Sequence, residues 1–195
     1  MSQRSSKRSL LEPHWSDWSQ RRYSGVPPEA QAWLRDTGSL TRRVIQCCGS
    51  GRFRVSLQQQ QWGRPLTSER QSLQMRQGLL AMVRDVVLLC DDSPWVFART
   101  LIPASTLKGP ARRLMLLGEK PLGAVLFSDP KVIRGATMFA RLSPGHALFD
   151  AACEHLQRQP ELLWGRRTLF YMAQRPILVN ELFLPELPMR MRGDR

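Results

Sequence analysis

The stretch RRTLFYMAQRPILVNELFLP, Arg166–Pro185, decides the fold. Two runs rich in apolar, aromatic and β-branched residues, RRTLFYMA and ILVNELFL, flank a turn at Gln174-Arg175 before Pro176, so the chain folds back on itself as an antiparallel hairpin. Alternate side chains of a strand face opposite ways. Glu181 therefore shares a face with Ile177, Val179 and Phe183. An ionised carboxylate on an apolar face is costly unless something pairs with it or hydrogen-bonds to it. The remainder of the chain must supply a partner or a purpose.

Upstream, GLLAMVRDVVLLC ends at the turn DDSP, Asp91–Pro94, and WVFARTLI follows at once, which predicts a second hairpin. RFRVSLQQ sets Phe53, Val55 and Leu57 against polar neighbours, and KVIRGATMFARL is also strand-like. Between them lie helical segments. PPEAQAWLRDTG opens on proline and stops at Gly38, and SLTRRVIQCC has Ser39 as its cap. Thr106 can cap a helix reaching Leu117 and stopped by Gly118, KPLGAVLF enters a short helix through Pro121, and GHALFDAACEHLQRQPELL is helical with a break at Pro160. The polar segment GRPLTSERQSLQM reads as a loop with one helical turn. The pattern predicts a single α+β domain whose helices come early and as insertions around an antiparallel sheet.

Two arginines repeat the anomaly of Glu181 with opposite sign. Arg84 shares a face with Met82, Val86 and Leu88, and Arg99 alternates with Trp95, Phe97 and Leu101. The pattern leaves three accounts open: Glu181 pairs with one of these arginines, the faces are solvated, or a pocket on the sheet uses a guanidinium for a carboxylate and Glu181 for a hydrogen bond or a proton.

With 195 residues the chain can build one full core, and 42% hydrophobic content with no long unbroken apolar run is that of an ordinary globular protein. The expected domain spans 26–188, between a weakly ordered basic extension, 1–25, and a basic tail, 189–195. Leu10-Leu11 is too short for a signal-peptide core. Cys47, Cys48, Cys90 and Cys153 show neither CxxC pairs nor metal-ligand spacing with His14, His146 and His155, and read as reduced cytoplasmic thiols. His146 and His155 read as surface residues, and the RGD at 192–194 as chance. A net charge of +13 calls for an anionic partner, but it is scattered in pairs such as Arg42-Arg43 and Arg166-Arg167 rather than in a block, which argues against a specific nucleic-acid site.

Three long blocks, PWVFARTLIPASTLKGP from Pro94, LGEKPLGAVLF from Leu117 and LWGRRTLFYMAQRPILVNELFLP from Leu163, with VRDVVLLC upstream, resemble the chorismate pyruvate-lyase family. The resemblance implies an antiparallel sheet with a buried ligand site under helical flaps, conversion of chorismate to 4-hydroxybenzoate and pyruvate for ubiquinone synthesis, and slow product release. It further implies no cofactor or metal, no membrane span, and a monomeric cytoplasmic enzyme. Carried over by position, Arg84 would hold the ring carboxylate, the backbone of Leu122 would contribute to that carboxylate site, and Glu181 would stand at the hydroxyl end. Leu40 would line the pocket from a flap, where the family often has methionine. Arg99 or Arg166 would face the enolpyruvyl carboxylate. The rival readings are a non-catalytic module of the same fold that binds an aromatic carboxylate, and an electrostatic binder of nucleic acid or membrane surface acting through the basic tails.

Overall fold

A computed structural model of the chain describes residues 11–18, 25–154 and 156–188. The two hairpins form as expected. Strand β2 (Ala81–Cys90) turns into β3 (Ser93–Pro103), and β5 (Leu163–Met172) turns into β6 (Arg175–Phe183). Both are closed by two residues of positive φ, Asp91-Asp92 and Ala173-Gln174, as the right-handed strand twist requires. The second turn therefore lies one residue earlier than Gln174-Arg175. Strands β1 (Phe53–Gly63) and β4 (Ile133–Leu142) complete a six-stranded antiparallel sheet in the order β1-β2-β3-β6-β5-β4. The hairpins meet where β3 pairs with β6, setting Ala98 opposite Glu181 and Thr100 opposite Val179.

Helices cover both faces. On one lie α1 (Pro28–Leu34), α2 (Leu40–Cys48) and α4 (Leu122–Ser128), which bury Trp33, Leu34, Val44 and Leu126 against β-strand residues such as Val86, Phe183 and Phe170. Ser39 caps α2 by accepting the Arg42 N–H at 3.4 Å. On the other lie α3 (Thr67–Ser72) and α5 (Ala147–Cys153), the latter packing Leu148 and Phe149 against Phe97 and Leu182.

Four expectations are corrected. The helix expected from Thr106 is a 3-10 helix over Gly109–Leu116: the Thr106 hydroxyl donates to the Pro176 carbonyl at 2.9 Å instead of capping, and Pro110 has no N–H to return to Thr106. The helix expected to run towards Pro160 ends at Cys153, beyond which Gln157, Arg158 and Gln159 offer no apolar face. Cys48 and Cys90 are joined as a disulfide rather than standing as thiols, because the ends of α2 and β2 bring their Cα atoms to 5.8 Å; a separation of 42 residues carries no such signal. Cys47 and Cys153 take part in no disulfide among the described residues, and burial pushes the Cys153 thiol up to about 11.

The fourth concerns the expected extension. Residues 11–18 dock on the domain: Leu11 bridges to His146, Ser16 to Phe139, Trp15 is buried, and the Glu12 carboxylate accepts the Thr67 and Ser68 N–H groups at 2.8 and 2.9 Å. The Glu12 contacts satisfy donors that the first turn of α3 leaves free. The rest of the basic extension other than Gly25, His155 and the basic tail with its RGD lie outside the described residues. His146 is half-buried and accepts the Ser143 N–H on Nδ1 at 3.0 Å.

Candidate active site

Cross-strand register places the charged residues. Reading across the face under α2 and α4, one row is Arg84, Thr100, Val179 and Thr168, and the next is Val86, Ala98, Glu181 and Arg166. Arg84 and Glu181 are thus two strands apart, about 10 Å laterally. Small side chains, Ala98 and Thr100, lie between them and form a floor. Leu40 and Thr41 of α2 and Leu122 and Leu126 of α4 form the roof, with Phe170 and Val179 at the side. The flaps meet closely at Gly123, where any Cβ would stand 3.0 Å from the Thr41 hydroxyl. What they enclose is narrow, a cavity of ≈ 50 Å³, enough for a few waters.

Arg84 is only 2% exposed, and Nη2 donates to the carbonyls of Gly118 and Lys120 at 2.8 and 3.0 Å. Those carbonyls belong to the turn leading into α4, which Gly118 permits by adopting a φ of 51°. Arg84 makes no ion pair among the described residues, and its Nε is buried without a hydrogen-bond partner there. Burial accordingly lowers its pKa from the ordinary arginine value. The guanidinium is held in place by neutral acceptors and carries an unneutralised charge beside the cavity.

Glu181 is paired, but with neither Arg84 nor Arg99. Its Oε2 accepts from Nε of Arg166, itself 2% exposed, whose Nη1 also donates to the carbonyls of Trp33 and Asp36 at 3.1 and 2.6 Å. Arg166 is thereby committed to Glu181 and to the end of α1.

Arg99 lies on the opposite face. It donates to Glu69 and Asp85, each at 3.1 Å, within a buried network in which Asn180 reaches Glu69 at 3.0 Å and Arg167 reaches Asn180 at 2.6 Å. Arg99 is two strand residues from Phe97 and Leu101, as alternation predicts, but a register shift between Leu88 and Leu89 lets Trp95 pack with Val96 on the cavity side. Of the two alternatives expected to face the enolpyruvyl carboxylate, Arg99 or Arg166, Arg99 is therefore removed: the sheet separates it from Arg84, and two carboxylates already neutralise it. Glu69, the centre of this network, lies on α3, in the segment read as a loop with one helical turn. Its position three residues after Leu66, whose N–H it accepts at 2.8 Å, was the available signal.

The Chorismate lyase family pattern matches residues 13–192. The chain belongs to that family. Among curated relatives of the lyase, the protein named Probable chorismate pyruvate-lyase of Nitrosospira multiformis is 40% identical over 172 residues, 88% of this chain and 94% of the relative. The one so named in Aromatoleum aromaticum is 38% identical over 184 residues, 91% and 98% of the two chains. In the fold alone, the lyase is similar to the effector domain of PhnF from Mycobacterium smegmatis, with a TM-score of 0.55 at 14% identity over 76% of this chain and 90% of that one. It is likewise similar to the C-terminal domain of the histidine utilization repressor of Pseudomonas syringae, with a TM-score of 0.51 at 12% identity over 74% and 99%. No helix among the described residues of the lyase is long and apolar enough to cross a membrane.

Proposed function

We infer that this chorismate lyase splits chorismate into 4-hydroxybenzoate and pyruvate, the usual context being ubiquinone synthesis, in the cavity between the sheet and α2 and α4. The observation that carries the site is Arg84, a buried cation with no carboxylate among the described residues to balance it. A ligand carboxylate supplies that balance and a partner for Nε at once.

Chorismate carries a ring carboxylate, an enolpyruvyl ether and a neighbouring hydroxyl. Arg84 takes the ring carboxylate, with the backbone N–H of Leu122 beside it, since the opening amides of a helix have no acceptor within it. The ring lies over Ala98 and Thr100 and under Leu40. Its hydroxyl then reaches Glu181 at the far end, whose oxygen not engaged by Arg166 accepts it. The ether C–O bond breaks with its electron pair leaving on enolpyruvate, the C–H bond beside the hydroxyl supplies the pair that completes the aromatic ring, and the proton ends on the methyl carbon of pyruvate. Aromatisation drives the step, so the residues' task is to hold one conformer and exclude water. The cavity admits a ring only when α2 or α4 moves outward, which makes release of the planar product a slow step. The enzyme acts as a cytoplasmic monomer on this reading, with Cys48 and Cys90 a reducible pair in that compartment.

The test is incubation of the purified protein with chorismate, following pyruvate by a coupled assay and 4-hydroxybenzoate by absorbance. Both products are expected in equal amounts. Pyruvate no faster than the spontaneous rate overturns the lyase reading, and tight binding of 4-hydroxybenzoate without turnover would favour the binding-module alternative.

A further inference from the structure

Chorismate brings two carboxylates, and Arg84 answers one. We propose that Arg134 meets the second, the carboxylate of the enolpyruvyl group; the assignment rests on the lyase reading above. Arg134 lies on β4 directly opposite Phe170 of β5, on the cavity side of the sheet, and Phe170 lines the cavity. Its guanidinium carbon stands 5.9 Å from the Phe170 ring centroid, and Glu181 is close enough to attract its charge. This is the correct end of the site. The ether sits on the ring carbon next to the one bearing the hydroxyl, so a hydroxyl at Glu181 carries the enolpyruvyl group to the same end.

The bonding state of Arg134 also distinguishes it from Arg166. Arg166 is fully enclosed and bound to the Glu181 carboxylate, so diverting it would strip Glu181 of its cation. Arg134 is half-buried and makes no ion pair among the described residues; Nη1 donates to the Thr37 carbonyl and Nη2 to that of Asp36 at 3.4 Å. A carboxylate is a stronger acceptor than either carbonyl, and an edge-strand side chain can exchange them by rotating about its own torsions. Burial, with the neighbouring Arg166, lowers the Arg134 pKa from the ordinary arginine value, and an arriving anion relieves both effects. In the reaction, Arg134 then binds the leaving enolpyruvate as its ether oxygen takes up the bonding pair.

4-Hydroxybenzoate has the ring and the hydroxyl but no enolpyruvyl group, so it separates this role from a structural one. In Arg134→Ala, KM for chorismate is expected to rise roughly tenfold or more, as for loss of a charge-assisted contact, while the dissociation constant of 4-hydroxybenzoate stays within about twofold. Arg134→Lys recovers part of the KM. Retained product affinity also reports that the variant is folded. An unchanged KM overturns the assignment, as does a parallel loss of product affinity, in Arg134→Ala or, if that variant fails to fold, in Arg134→Lys. Both leave the lyase reading standing. Absence of turnover by the unaltered chain overturns that reading itself and the assignment with it.

Discussion

Arg84 is stabilised in its position by backbone carbonyls and has no counter-charge among the described residues, an arrangement that costs folding free energy and that a bound anion would balance. Arg84→Ala is accordingly expected to weaken 4-hydroxybenzoate binding by about 2 kcal/mol, roughly thirtyfold, measured by calorimetric titration. An unchanged affinity would remove Arg84 from the site. Glu181 differs, because on the proposed reading it serves the fold and the site together. Glu181→Gln keeps an acceptor for the ligand but deprives the buried Arg166 of its charge partner, so a loss of about 1–3 kcal/mol in stability is expected alongside at least a roughly tenfold fall in kcat. Thermal unfolding and steady-state kinetics on one preparation separate the two. Full turnover in a destabilised protein would leave Glu181 a purely structural partner of Arg166.

The elements divide by how local their causes are. The hairpins were legible because apolar runs and turns adjoin in sequence, and α1, α2 and α4 because Pro28, Ser39 and Pro121 mark where they begin. The 3-10 helix was not, since Thr106 is claimed by Pro176, 70 residues away. The faces of Arg84 and Glu181 followed from alternation alone, whereas the Arg166 partner of Glu181 needed the register of β5 against β6. Arg134 was hidden because the β4 register slips between Arg134 and Thr137, which defeats a period of two. The disulfide likewise reflects tertiary placement. Closing a loop of 42 residues, it is expected to stabilise the oxidised chain by about 4 kcal/mol over Cys48→Ser, read from urea midpoints. A dithiol should bring the unaltered chain down to the variant; identical midpoints without reductant would mean that the bond does not form.

At the scale of the molecule, the chain carries a net charge of +13, and on the reading proposed above its substrate is a dianion. The field gathers substrate from beyond contact range, and salt shortens its reach from ~10 Å at 0.1 M to ~3 Å at 1 M. The ratio kcat/KM is therefore expected to fall several-fold with added sodium chloride while kcat changes little, measured in a salt series; a flat profile would assign recognition to contacts alone. The same molecule also contains a lever. While the bond is oxidised, Cys48 ties the last residue of α2 to the end of β2 and Leu40 at its first residue roofs the cavity, so a tilt of α2 would pivot about its fastened end. Eight residues of helix make an arm of about 12 Å, so a tilt of roughly 20° lifts Leu40 by about 4 Å. A small rotation about one covalent hinge thus converts into a doorway as wide as an aromatic ring is thick.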